Sequence, residues 1–210
     1  MNLKIESWKT ILFWGSLWGI LEATLGWGLH LIHFKGEAMV LYPFGLFCMI
    51  NAMQRLQGGA KVVMQVAGVA ALIKLVDLFL WPAVPAYWVI NPAIAVFLEG
   101  SAFALFCYYG KQGISSIAIA FGLVLATFFV FRGFQTAMDA LTTTNPDVHR
   151  GFSAFMMGTW VWKSFVQGLM IVLIYKYRNV LQLKFHALRW ENSLAFPAFL
   201  IAVIVTLWVR

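Results

Sequence analysis

Residues 114–138 read ISSIAIAFGLVLATFFVFRGFQTAM, with a single charged residue, Arg132. About 20 predominantly apolar residues are what an α-helix needs to cross the hydrocarbon of a bilayer. Similar runs lie on both sides, at roughly 10–33, 38–56, 61–81, 86–109, 154–176 and 192–209. Polar, Gly or Pro punctuation separates most of them: Lys35-Gly36-Glu37, Gln57-Gly58-Gly59, Pro82 with Pro85, and Gly110 to Gly113. The expectation is an all-α polytopic membrane protein of six to seven transmembrane helices, forming one integral membrane domain over residues 1–210.

Composition excludes the main alternatives. The 210 residues are 62% apolar and 11% charged, with 15 basic and 8 acidic side chains. A soluble globular chain is about half apolar and a quarter charged. So few charges cannot cover a water-soluble globule, which removes soluble enzymes, nucleic-acid binders and disordered chains. The two cysteines, Cys48 and Cys107, sit inside apolar runs and read as core thiols. The first run carries Glu22, His30 and His33 and has no small-residue cleavage pattern, so it reads as a membrane helix rather than a signal peptide.

The net charge of +7 reads as topology. Lys4, Lys9, Arg55, Lys61, Lys111, Lys176, Arg178, Lys184 and Arg189 fall at one set of segment ends. The other set carries Lys35, Glu37, Asp147, Arg150 and Arg210. The basic set belongs in the cytoplasm, which places the chain in the cell (inner) membrane with its N-terminus inside. Seven spans would put the C-terminus outside; six would keep it inside. Residues 179–191 alternate Lys184, His186 and Arg189 with Leu181, Leu183, Leu188 and Trp190, as an interfacial amphipathic segment does. The run after it reads as a plain lipid-facing or packing helix.

An internal echo accompanies these spans. Residues 15–55 laid on 92–132 give seven identities, among them Glu22 with Glu99 and Arg55 with Arg132. Two inverted three-helix halves, 10–81 and 86–176, followed by a last helix, are one plan that membrane transporters use.

Several charges lie where a bilayer is apolar. A charge at mid-membrane costs about 2.5–3.5 kcal/mol on insertion scales, so each needs a partner or a water-filled cavity. Glu22 lies near the middle of the first span, Lys74 and Asp77 in the third, Glu99 in the fourth, Arg132 and Asp139 in the fifth, and Lys163 in the sixth. His30 lies in the outer half of the first, with Trp27 one turn earlier and well placed to stack on a planar ligand. These nine residues are the candidate binding set. The blander reading is that the acids pair with Lys74, Lys163 or Arg132 as structural bridges, and that most Trp residues form an interfacial belt. Gly15, Gly19 and Ala23, four apart, make a groove for close helix approach. Its occupant is either a helix of the same chain or another membrane subunit.

The remaining motifs carry structural readings. Asn91-Pro92 reads as a helix start, with Asn91 the cap and Pro92 the first position. Glu22, His30 and His33 have a spacing that suits metal ligands on one helix face, but no HExxH motif is present. No Ser/His or Cys/His arrangement, phosphate loop or dinucleotide fingerprint is evident, so neither catalysis nor a cofactor is expected.

In architecture the chain resembles the substrate-binding (S) component of energy-coupling factor transporters. The resemblance covers roughly residues 10–178. It rests on size and hydrophobicity, on Gly15, Gly19 and Ala23 on the first helix, and on the runs Trp18-Gly19-Ile20-Leu21-Glu22-Ala23 and Asn91-Pro92-Ala93-Ile94-Ala95-Val96-Phe97-Leu98-Glu99-Gly100. The last span lies outside the six-helix pattern. The resemblance implies a high-affinity site for a vitamin or metal ion near the outer face. It also implies docking, through the small residues of the first helix, onto a transmembrane T component that carries two ATPases.

Four readings compete. The first is a solute-binding membrane subunit of an uptake transporter. The second is a self-contained secondary transporter or channel built from inverted halves. The third is an intramembrane metal-dependent enzyme using Glu22, His30, His33 and Glu99. The fourth is a structural subunit whose charges pair internally.

Overall fold

A computed structural model of the chain describes residues 3–34, 36–76, 78, 86–113, 116–142, 154–181 and 188–208. Among these residues the structure is all helix, with no strand. The helices are α1 (Leu3–Leu31), α2 (Glu37–Arg55), α3 (Ala60–Leu75), α4 (Ala86–Lys111), α5 (Ile117–Thr142), α6 (Ala154–Lys176), the single turn α7 (Arg178–Leu181) and α8 (Leu188–Trp208).

The helices stop where the backbone can take a left-handed residue. α2 ends with Gln57 at φ +47, and the Gly58 N–H reaches back to the Met53 carbonyl at 2.9 Å. That six-to-one closure satisfies a carbonyl the last turn leaves open. α1 ends the same way, with His33 at φ +52 and the Phe34 N–H on the Leu29 carbonyl at 3.0 Å. After α4 the turn carries Gly113 at φ +80, a conformation that costs glycine little.

α2 is the central helix, packed on α1, α3, α4 and α6. Leu46, Cys48, Met49, Ile50, Asn51 and Ala52 are all fully enclosed. α3 and α4 form one extensive pair, α5 packs on α4 and α6, and α8 lies mainly along α1. Cys48 and Cys107 are free buried thiols, as their apolar setting implied.

Among the described residues four helices are long and apolar enough to cross a membrane: α4 over Val89–Gly110, α5 over Ile117–Met138, α6 over Met157–Lys176 and α8 over Glu191–Trp208. α5 is the most apolar of them, with a mean hydropathy of 2.1. The described part of α3 has 16 residues, short of a span. α1 has 29 residues, but Trp, Gly and Glu22 dilute its hydropathy.

Two local expectations are corrected, and one open alternative is resolved. Pro92 does not open the fourth helix and Asn91 does not cap it; α4 begins at Ala86 and carries Pro92 within it. The last helix begins at Leu188, inside the stretch read as interfacial. Its Glu191 is 5% exposed and pairs with Arg55 at 3.2 Å, so it is an internal anchor. The α1 groove is filled from within the chain. A Cβ at Gly15 would lie 2.6 Å from Val69 Cβ, and one at Gly19 would lie 3.0 Å from Ile73 Cδ1. Val69 and Ile73, four apart on α3, occupy the two notches, and Ala23 is buried as well. Small residues here serve close packing of α1 on α3, the physical effect read from their spacing.

Candidate functional site

The polar centre of the bundle is assembled from α1, α2, α4 and α6. On α1, Trp18 is completely buried, and its indole N–H donates to Glu22 Oε1 at 3.2 Å. The two residues are four apart, so one helix face presents both. Gly45 on α2 makes room for the ring: a Cβ there would lie 2.6 Å from Trp18 Cε2 and Cζ2.

Glu99 stands mid-way along α4. Its electrostatic neighbours are the Glu22 carboxyl from α1 and the Gln167 amide from α6. Tyr42 on α2 is in electrostatic reach of Glu99 and of Cys107. α1 and α4 make no backbone contact with each other; both pack on α2 and α3. The two carboxyls therefore belong to helices that are not direct neighbours. Both are partly buried.

On α2 and α6 the structure leaves buried polar side-chain atoms without a hydrogen-bond partner. The Tyr42 hydroxyl, the Ser164 hydroxyl and Gln167 Nε2 are buried and complete no hydrogen bond. Gln167 is 1% exposed. Its amide lies alongside Glu99 with Nε2 falling short of bonding geometry. A buried donor left unmade costs about 1–3 kcal/mol. Of these groups, Tyr42 and Gln167 lie in electrostatic reach of Glu99.

The remaining candidate residues are scattered. Lys74, in the last turn of α3, and Arg132, within α5, are buried and engaged with other groups. Arg132 Nη1 donates to Gln135 Oε1 at 3.4 Å. Lys163 on α6 is partly buried. Trp27 is 46% exposed on the flank of α1, outside the enclosed cluster. His33 is exposed beyond the end of α1. His30 and Asp139 lie within α1 and α5, but their side chains are outside the described residues, as is Asp77 altogether. Among the described residues no three His, Cys, Asp or Glu side chains gather as metal ligands.

Tyr42, Trp18 and Gln167 belong to the cluster and are absent from the sequence-derived set. Gln167 carried a signal: it is an amide in the middle of the apolar run 154–176. Tyr42 and Trp18 carried none, because aromatic residues in a membrane chain read first as belt or core. Compared with protein-family models, with curated proteins and with solved structures, the chain matches none.

Proposed function

We propose that this chain is a solute-binding membrane subunit of an uptake system. A small polar solute is held among α1, α2, α4 and α6. In this reading α1 to α6 and α8 all cross the cell membrane, with the N-terminus in the cytoplasm. One observation carries the proposal: Glu22 and Glu99 come from different helices into one neighbourhood ringed by the unpartnered groups of Tyr42 and Gln167. Buried polar groups without bonds are uncommon in folded proteins and ask for a ligand or a water. Intramembrane ionisable residues mark solute or ion pathways by default. Glu22 and Glu99 take the solute's polar groups, and Trp18 holds Glu22 in place.

The resemblance to energy-coupling factor S components points the same way and adds a partner, a T component with ATPases. With α3 seated on Gly15 and Gly19, that partner would dock on a different face of α1 or on another helix.

Native mass spectrometry of the tagged chain, drawn from its own membranes in mild detergent, tests both halves. The expected spectrum shows a retained small solute that Gln167→Leu releases, together with a membrane partner and an ATPase pair. A solute without partner proteins would leave the binding site and remove the uptake complex. A bare chain, with neither, overturns the reading.

A further inference from the structure

The outer face of α6 runs from apolar to cationic. Phe165, Leu169 and Leu173 are exposed along one side of the helix, because residues four apart share a face. Lys176 continues that side as the last residue of α6 and is exposed too. The turn beyond it brings Arg178. Both cations are held by aromatic neighbours rather than by acids. Lys176 Nζ lies 5.7 Å from the centroid of the Tyr177 ring. The Arg178 guanidinium lies 4.4 Å over the Tyr175 ring, and its Nη1 donates to the Tyr175 carbonyl at 2.8 Å. Such contacts fix where a cation sits and leave its net charge in place. The described acid at this end, Glu191, is buried against Arg55. Phe165 and Lys176 are eleven positions apart, about 16 Å of helix at about 1.5 Å per residue. That matches the depth of one leaflet, about half of a hydrocarbon core of about 30 Å.

We propose that this face seats one phospholipid with an anionic headgroup, in the leaflet at the basic end of the bundle. The headgroup phosphate accepts from the Lys176 ammonium and from Arg178 N–H groups other than the one on the Tyr175 carbonyl. One acyl chain lies along Leu173, Leu169 and Phe165, and the exposed Tyr177 ring stands at the headgroup boundary, where aromatic residues settle. Charge complementarity selects this occupant. A zwitterionic lipid brings no net charge to the two cations, and a free phosphate leaves the apolar track uncovered. Basic residues at a membrane surface also serve orientation alone. Orientation needs charge at this end and no defined seat, and Lys61 separates the two roles. It is exposed at the same end, on α3, a helix that does not pack on α6 or α7. The inference needs α6 to lie in a bilayer and is independent of the solute-binding reading.

Native mass spectrometry of the full chain in detergent, titrated with defined lipids, tests this. The probes are dioleoyl phosphatidylglycerol, dioleoyl phosphatidylcholine with the same chains, and inorganic phosphate. Variants are compared at unchanged elution profile and helical circular dichroism, and the exposed Lys176 gives the one least open to misfolding. The expected spectrum retains one phosphatidylglycerol in clear preference to phosphatidylcholine. Lys176→Gln and Arg178→Gln each weaken that retention about five-fold, the worth of one basic side chain near an anionic surface. Leu169→Ser, which touches no charge, weakens it as well, while Lys61→Gln leaves it unchanged. Millimolar phosphate does not displace the lipid. Equal retention of the two lipids overturns the inference, and so does a Lys61→Gln variant that loses as much as Lys176→Gln. Displacement by phosphate alone would mean an anion site without a lipid, and a second polypeptide in the lipid's place would mean a protein interface; either result overturns it too.

Discussion

At the scale of single residues the polar centre depends on two kinds of fit. Gly45 is steric. It sits within α2, where alanine would ordinarily gain about 0.5–1 kcal/mol in helix propensity. Here a methyl group meets a rigid, fully buried indole at 2.6 Å. Overpacking a closed interior costs about 1–3 kcal/mol, so the steric cost outweighs the gain. Gly45→Ala is expected to lower the thermal midpoint in detergent and to break the Trp18–Glu22 hydrogen bond, seen as a red shift of Trp emission in a variant retaining Trp18 alone. Gln167 is chemical. Its Nε2 is buried without a bond, so leucine removes an unmet donor at little change in volume. Gln167→Leu should leave the empty protein as stable as before, or more so, while solute retention falls. A merely structural amide would behave in the opposite way, with stability dropping and no retained solute to lose.

At the scale of elements, the last helix depends on its first turn. α8 lies along α1 and exposes Leu194, Phe196, Leu200, Ile201 and Ile204 on its outer face. What it buries is sparse: Glu191, Ala195, Ala202 and Thr206. The Arg55–Glu191 pair ties its start to the end of α2, and Gln54 to Asn179 ties α7 to the same end at 3.4 Å. Removing one partner of a buried pair leaves an uncompensated charge and costs about 3–5 kcal/mol. Glu191→Ala should therefore loosen α8 before the rest. Hydrogen exchange would show faster amides over residues 188–200 with α4 unchanged, and the charge-swapped pair, Arg55→Glu with Glu191→Arg, should restore protection. Uniform loosening of all helices would mean that the pair supports the whole bundle rather than α8. The same elements show what sequence can carry. Each apolar run overlaps a helix, because about 20 consecutive apolar residues are a helix-length signal that can be read locally. The misplaced features were set by partners distant in the chain. Pro92 sits inside α4 because tertiary packing tolerates the lost bond. Glu191 is buried because Arg55 waits for it 136 positions earlier. The Gly15–Gly19 groove had two plausible occupants, and only the packing of α3 chooses between them.

At the scale of the whole molecule, the charged ends and the polar centre belong to one arrangement. Arg55, Lys176 and Arg178 close the helices at one end of the bundle, the end where α8 also begins. Glu22 and Glu99 were legible because an acid in an apolar run is conspicuous. That Glu99 has Glu22, Tyr42 and Gln167 as its electrostatic neighbours depends on four helices converging, and no local pattern encodes it. The spatial arrangement makes a prediction about sidedness. If the basic end is cytoplasmic, as the positive-inside bias requires, then Lys61 and Gln112 face inward, while His33 and Trp208 lie at the opposite end; all four are exposed. α8, with 21 residues, is about 31 Å long at 1.5 Å per residue, enough to cross about 30 Å of hydrocarbon. Single cysteines at these positions can be labelled in intact cells with a membrane-impermeant maleimide, since Cys48 and Cys107 are buried and give little background. Cysteines at 33 and 208 should label from outside, and those at 61 and 112 only after the cells are opened. Labelling of 208 only in opened cells, with 33 still labelled from outside, would turn α8 into a helix that does not cross. The count would then be six spans with both ends inside, and the Arg55–Glu191 pair would be an interfacial clasp.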